Sequence, residues 1–495
     1  MNSSKSSAKP ASKISFKPVS PFDMFYQLTY MSAMAASGIP RTKLFEISAQ
    51  STSTAASYFA AINTLVQEFR LEYADACRRV GVQAKSENMK VFLLRFSDAL
   101  RSGEPLADFL AREAEVQAED YENRYERDLE ALKQWTNAFS SIIISVALIL
   151  IIQIVSSMIY SSSLEMIGGL VLTGVTLMGF GAWIIYRSAP KETMTIAVRY
   201  GSKEQQKAMR LFRLLAPIIM ASAAVMFMIG IPYGWIFIWI AVLLIPIGLA
   251  AMRSDTAIRK KDDEFSTFLR SSGSMATSSG TTLRESLTKI ELSSFPNLEP
   301  DINRLSKRLQ ALVTPEICWH RFGRETGSKL ISEVVDIFYG AIKMGGDPER
   351  VGYLCSLFAA KTSQLRAKRR LVAGTFAGLT TVMQTVVAGL MVFVLSIVTN
   401  FAIMVTELMP ENDATLESQA ALSMGVAEFT PEQLQFLTMM TVVMVIMLAI
   451  IGSVAIIFSA GGYRLKIAMY LAMTIFISGV SFLIVPPMVT SMLQG

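Results

Sequence analysis

Seven stretches without a single Asp, Glu, Lys, Arg or His constrain this chain more than anything else in it: 139–160, 166–186, 214–231, 233–252, 371–404, 433–460 and 467–490. At a rise of about 1.5 Å per helical residue, each can cross roughly 30 Å of hydrocarbon. Water is absent at that depth, so every backbone N–H and C=O must pair within the segment. The runs therefore predict helices, since barrel strands would read as alternating segments of about ten residues. Composition agrees: 52% of the 495 residues are apolar and only 17% are charged. The expected class is an all-α polytopic membrane protein with about seven transmembrane helices.

Topology follows from the loops, because Lys and Arg are retained on the cytoplasmic side during insertion. The connection 187–213 carries seven basic residues, and the short turn after Ala460 carries Arg464 and Lys466. The alternate connections 161–165, 405–432 and 491–495 carry none, and 405–432 holds six acids. The N-terminus is expected inside and the C-terminus outside. The expected organisation is a disordered Ser, Lys and Pro-rich tail at 1–20 and a first cytoplasmic domain at 21–138. Four spans at 139–252, a second cytoplasmic domain at 253–370, and three spans at 371–495 enclosing the acidic outer loop 405–432 complete it. The tail has no apolar core of the kind a cleavable signal peptide needs. Cys77, Cys318 and Cys355 are too few and too scattered for a disulfide framework or a metal site, which suits a reducing compartment. The 34-residue fifth run would be about 51 Å long as a helix, so it is expected to project into the cytoplasm with Arg366, Lys368, Arg369 and Arg370 at its foot. The simplest reading of those four membrane-proximal basic residues is anchoring beside anionic lipid headgroups, with a partner-binding patch as the alternative.

The two cytoplasmic segments are copies of one another. Ser37-Gly38 and Ser279-Gly280 stand 242 positions apart, as do Gly103 and Gly345. At the same offset Met89, Phe92, Leu93, Phe96, Ala99 and Leu100 match Ile331, Val334, Val335, Phe338, Ala341 and Ile342. Both sets follow the i, i+3, i+4, i+7 spacing of one buried helical stripe. Arg124 and Arg127 match Arg366 and Arg369 just ahead of the first and fifth runs. Two duplicated helical bundles are predicted, each feeding a membrane helix. Their charges differ: 21–138 has 13 basic and 17 acidic residues, net −4, while 253–370 has 20 and 14, net +6. Opposite signs favour packing of one bundle on the other, within a chain or across a dimer.

No fragment carries convincing catalytic chemistry, so no catalytic residue, metal or cofactor is expected. The run from Gly323 to Leu330 resembles a phosphate-binding loop, but Ser328 stands where that loop needs glycine before Lys329. His320 is the single histidine, and one imidazole beside Cys318 makes neither a zinc site nor a nucleophile pair. Gly345-Gly346-Asp347 falls outside every apolar run, which leaves an intramembrane aspartyl protease without its carboxylates. Ion-coupled transporters place ionisable groups at membrane depth. Here the strongest polar groups in the spans are Gln153, Gln384 and Asn400, which read as interhelical hydrogen-bonding residues. A solute carrier using backbone and amide groups stays open, as does a membrane-anchored scaffold or signalling protein.

The stretch 262–400 resembles the second half of FlaJ, the archaellum platform protein, and its relatives in type IV pilus, Tad and type II secretion machines. The residues that carry it are Phe265, Phe268-Leu269, Ser271, Gly273 and Ser279-Gly280-Thr281-Thr282; Arg304-Leu305 with Arg308-Leu309; and Cys318-Trp319 with Phe322. They continue through Glu325-Thr326-Gly327-Ser328, Gly345-Gly346-Asp347-Pro348, Val351-Gly352, Lys368-Arg369 and Phe376. The first half, from Phe25 to Trp135, resembles the same module with weaker motifs. The resemblance implies a platform in the cytoplasmic membrane on which a hexameric cytoplasmic secretion ATPase acts, moving pilin-like or archaellin subunits into a filament. It also implies a homodimer in contact with membrane lipid, and no nucleic-acid partner. Gln384 stands near the place of a histidine common in FlaJ proteins, so the archaellum and other archaeal-type pili both remain open. The ATPase-binding residues it suggests are Arg304, Lys307 and Arg308, at i, i+3 and i+4 on one helix side, with Glu325, Thr326, Gly327, Ser328, Gly345, Gly346 and Asp347. A merely solvated face is the alternative for the three basic residues.

Overall fold

A computed structural model of the chain describes residues 16–157, 164–196, 202–280, 282–408 and 431–494. Most of the tail expected at 1–20 and of the acidic loop expected at 405–432 lies outside the described residues. Among the described residues the structure is helical, with one isolated antiparallel bridge between Thr195 and Ser328. Seven helices among the described residues are long and apolar enough to cross a membrane. The chain divides into two compact units, and helices α6, α9 and α14 have residues in both.

Unit 1 comprises Met1–Arg124, Asp262–Gly323 and Leu330–Ser363. Its helices are α1 (Pro21–Ala35), α2 (Arg41–Ala49), α3 (Ala56–Phe69), α4 (Tyr73–Val82), α5 (Glu87–Ser102), the start of α6 (Leu106–Ser156) and the end of α9 (Tyr233–Ser278). They continue with α10 (Leu283–Lys289), α11 (Glu299–Gln310), most of α12 (Pro315–Thr326), α13 (Lys329–Lys343) and the start of α14 (Pro348–Leu408). The duplication is written into these boundaries: α2 and α10, α4 and α12, α5 and α13, and α6 and α14 each begin 242 positions apart. The left-handed backbone positions recur in the same way, at Gly38 and Gly280, Arg70 and Leu312, and Gly103 and Gly345. Phe96 and Phe338 are both fully buried at matching positions, as the apolar stripes require. Phe96 stacks between Phe45 (5.4 Å between ring centroids) and Phe109 (5.6 Å), while Phe338 meets the edge of Trp319 at 5.7 Å. Trp319 takes the place that Cys77 holds in the first copy.

The two copies pack on each other within this unit. The Ser37 hydroxyl at the end of α1 donates to the Ala341 carbonyl at 3.0 Å. Gly346 lies beneath it, and a Cβ there would stand 2.5 Å from that hydroxyl oxygen. Gly273 of α9 lets the Pro348 carbonyl approach to where a side chain would begin. Asp108 of α6 and Arg350 of α14 form an ion pair at 3.4 Å, and Glu122 pairs with Lys361.

Unit 2 comprises Tyr125–Lys261, Arg324–Lys329 and Gln364–Gly495. It adds α7 (Leu164–Ser188), α8 (Lys203–Met228), α15 (Pro431–Ala460) and α16 (Ile467–Gln494) to the remaining parts of α6, α9, α12 and α14. Lipid tails are as apolar as leucine, so close backbone approach and polar contacts must hold these helices together. A Cβ on Gly174 would stand 2.6 Å from Val146 of α6, and one on Gly248 would stand 2.6 Å from the Met469 backbone of α16. Gln384 is buried in α14, and its Nε2 donates to Ser478 Oγ of α16 at 3.0 Å, the interhelical role its sequence suggests. Asn400 instead donates to Ser396 O of its own helix at 2.8 Å. The fifth run begins directly after its basic cluster, but the helix that contains it starts earlier: α14 begins at Pro348, so Arg366 to Arg370 lie well inside a continuous helix.

Candidate functional site

Helix α11 begins with Pro300 in its first turn and carries Glu299 and Asp301 near its positive end, then Lys307 and Arg308 in its last turn, where each sign suits the helix dipole. Ile302, Leu305 and Leu309 are buried, which turns Lys307 outward. Arg304 is half-buried and pairs with the buried Asp301 one turn earlier, while Arg308 is half-buried too. Of the expected basic triplet, only Lys307 is therefore fully presented to solvent. Cys318 sits beneath this helix; burial pushes its thiol above the ordinary range, and Arg308 opposes that shift.

The motif 325–328 behaves differently from the expected docking surface. Thr326, Gly327 and Ser328 are buried, and only Glu325 is half-exposed. The Ile196 N–H donates to Gly327 O at 3.2 Å, the Lys329 N–H donates to Met194 O at 3.2 Å, and Lys329 Nζ donates to Thr193 Oγ1 at 2.8 Å. Gly327 has φ +80, and a Cβ there would lie 3.2 Å from Ser202. The motif is a seat for residues 193–196 and for Ser202 inside unit 2, whereas Arg304 to Arg308 belong to unit 1. Burial removes Thr326, Gly327 and Ser328 from any surface of this chain that a partner could reach.

Gly345-Gly346-Asp347 also has a structural occupation. Gly345 takes φ +91 at the end of α13, the conformation a side chain would disfavour. Asp347 opens α14 by accepting from the Arg350 N–H at 3.1 Å and from the Thr277 hydroxyl at 2.9 Å. Asp347 is exposed and Gly346 is not.

Three of the membrane-proximal basic residues of α14, Arg366, Lys368 and Arg369, fall into two kinds. Lys368 is half-exposed and pairs with Glu126 of α6. Arg366 and Arg369 are turned inward, which does not suit lipid anchoring. Arg366 donates through Nε (2.8 Å) and Nη2 (2.5 Å) to Glu192 Oε1, with the two side chains 3% and 4% exposed. Arg369 donates to Ser459 O (2.9 Å), Phe458 O (3.1 Å) and Pro190 O (2.9 Å). Two of those carbonyls belong to the last turn of α15, whose terminal C=O groups have no partner within the helix. A guanidinium there supplies both hydrogen bonds and a charge that suits the negative helix end. Gly461, with φ +64, completes the fit, since a Cβ would stand 2.9 Å from the Arg369 Cζ. Sequence reasoning missed this clamp, although Glu192 is one of only two acids in the basic connection 187–213.

Sequence reasoning also missed the turn from α11 to α12, where the seven residues 311–317 are all exposed and Leu312, Val313 and Ile317 are among them. Within unit 2, an apolar groove of about 250 Å³ between α7 and α15 is lined by Trp183, Ile450, Val454 and Phe458 and offers little to orient a polar solute.

Comparison with known proteins agrees with this architecture. The family described as type II secretion system (T2SS), protein F matches residues 28–155. That match covers the first bundle and first span, where the sequence motifs were the weaker. Flagella accessory protein J of Methanocaldococcus jannaschii is 26% identical, over 62% of this chain and 56% of that protein. Flagella accessory protein J of Methanococcus voltae is 23% identical, over 64% of this chain and 59% of that protein. The matches thus span somewhat more than half the length of those relatives. No solved structure matches the chain. Residues 28–155 are thus similar to the type II secretion F family, in a chain whose described residues include seven helices long and apolar enough to cross a membrane. Over the stretches they match, the chain is similar to the FlaJ-type proteins among these relatives.

Proposed function

We propose that this protein is the membrane platform of a type IV filament machine, an archaellum or another archaeal-type pilus. A hexameric cytoplasmic ATPase acts on its paired bundles, and pilin-like subunits pass from the membrane into the filament beside its spans. The observation that carries this reading is the pairing itself. Two copies of one bundle pack in a single unit, and α6, α9 and α14 run on from that unit as spanning helices without a break. A rearrangement imposed on the bundles has unbroken helices along which to reach the membrane. Seven apolar runs free of ionisable groups support a mechanical role over an ion-coupled one. The lopsided loop charges support an inside N-terminus and an outside C-terminus, and the chain works as a homodimer in the cytoplasmic membrane.

The test is purification of the tagged chain in mild detergent from cells assembling filaments, with the ATPase and pilin-like subunits sought by mass spectrometry, together with filament counts after deletion of the gene. Co-purification and loss of filaments are expected; normal filaments in the deletion strain overturn the reading. Orientation is tested separately in a cysteine-free background. An impermeant maleimide applied to intact cells should label Ser418→Cys and spare Ser202→Cys, and the reverse pattern inverts the topology.

A further inference from the structure

The turn between α11 and α12 presents aliphatic side chains to solvent at a backbone cost that the fold gives no return for. Helix α11 ends in a complete Schellman arrangement: the Leu312 N–H donates to Leu309 O at 3.2 Å, and the Val313 N–H donates to Arg308 O at 3.2 Å. The left-handed residue of that motif is usually glycine, because a Cβ is disfavoured there. Here it is Leu312, with φ +60 and 78% exposed. Val313 and Ile317 beside it are 40% and 55% exposed. Glycine would close the same turn with less strain and no apolar exposure, so nothing inside the chain calls for leucine. Strain and exposure that bring the fold nothing point to a use outside it.

The surrounding charge indicates what fits. Residues 304–321 contain four basic residues and one acid, net +3, and that acid, Glu316, is tied to Lys343 at 2.7 Å. Lys307 is exposed at the end of α11, and the exposed Arg321 follows Ile317 by one helical turn. The equivalent turn of the first copy keeps the left-handed residue, Arg70, and an exposed Phe69, but its residues 62–79 carry three basic and three acidic groups, net zero. The same turn has thus diverged into a basic-rimmed apolar knob in one copy only.

We infer that Leu312, Val313 and Ile317 form the apolar anchor of a protein-docking site, whose partner is a cytoplasmic protein with an apolar pocket rimmed by Asp and Glu. The inference rests on the platform reading, under which that partner is a subunit of the ATPase. It assigns the contact to the turn and moves it away from the motif 325–328. A central apolar anchor with a charged rim divides the work in the usual way: the rim accelerates encounter and loses effect with salt, while the anchor sets the lifetime of the complex.

The test uses the full-length chain in lipid nanodiscs, immobilised, with the purified ATPase of the same system as analyte. Leu312→Gly suits the left-handed backbone, so its thermal stability should equal or exceed that of the unaltered chain. Its affinity should fall roughly ten- to hundred-fold, the loss expected on removing one buried leucine side chain from an interface, and mostly through faster dissociation. Ile317→Ser should weaken binding similarly, and Phe69→Ser should leave it unchanged. Binding of Leu312→Gly at the original affinity, or equal weakening by Phe69→Ser, overturns the assignment. So does a blue shift of an environment-sensitive dye on Leu312→Cys when nanodiscs gain anionic lipid without ATPase, which would make the knob a lipid contact. If the unaltered chain binds no ATPase, the platform reading itself fails; if it binds and Leu312→Gly binds equally, only the docking turn is wrong.

Discussion

Removing Arg366 alone should cost this protein far more stability than removing Arg366 and Glu192 together. Both side chains are almost wholly buried, and the guanidinium meets one carboxylate oxygen through two N–H groups. Arg366→Met deletes the cation and leaves a carboxylate without its counter-charge, the situation that costs about 3 to 5 kcal/mol at buried pairs. The double variant Arg366→Met, Glu192→Met removes both charges and fills similar volume with apolar atoms, so most of the loss should return. At about 2 to 4 °C per kcal/mol for a domain of this order, the single variant should melt roughly 6 to 20 °C lower and the double variant within a few degrees of the original. Heating the detergent-solubilised protein and measuring the fraction that still elutes as a monodisperse peak gives the ranking. Arg366→Lys is an informative third variant, because a lysine cannot reproduce the two-point contact and should lose stability as well. If Arg366→Met and Arg366→Lys melt with the unaltered chain, or respond only to anionic lipid, the side chain is a headgroup anchor and the buried clamp is refuted.

Phe96→Ala and Phe338→Ala each empty a fully buried aromatic site, and each should cost about 3 to 5 kcal/mol, read as earlier labelling of the buried thiols Cys77 and Cys318 on heating. Gly273→Ala drives a methyl into the Pro348 carbonyl and should destabilise the pairing of the two copies by about 1 to 3 kcal/mol, read as faster proteolysis at the start of α14; unchanged proteolysis would remove the close approach. Gln384→Leu deletes the link to Ser478 inside the spans and should cost only about 0.6 to 1.7 kcal/mol, a shift of a few degrees in the elution assay.

What the sequence made legible was what repeats or what excludes charge. Seven uncharged runs map onto seven helices because lipid leaves the backbone no alternative. The repeat at 242 was readable from a handful of glycines and one apolar stripe, since left-handed turns and buried faces tolerate few residue types. What stayed hidden depends on contacts between distant positions. Arg366 and Arg369 look like any basic cluster at a membrane edge until Glu192 and the end of α15 are brought against them. Gly327 looked like part of a docking motif, yet its φ of +80 and its packing on Ser202 make it the floor of a loop. The knob at Leu312 left one faint trace, a helix that ends without the glycine its turn would prefer.

The charges on α6 and α14 favour pairing of a duplicated bundle with its sister over pairing with another copy of itself. In a two-fold arrangement, a residue that touches its own counterpart lies on the axis. Asp108 and Arg350 are counterparts at the 242 offset, as are Glu126 and Lys368, and both couples are ion pairs. Each is partly exposed and contributes little to stability, about 0 to 1 kcal/mol. Their weight lies in the comparison, because a first bundle facing a first bundle would set Asp against Asp and Glu against Glu. A second facing a second would set Arg against Arg and Lys against Lys. The same positions that attract in the mixed pair repel in either matched pair, and such juxtapositions suppress wrong partners more than they strengthen right ones. Part of the divergence of the two halves to net −4 and net +6 therefore falls where it bears on pairing, and one chain supplies both sides of the pair.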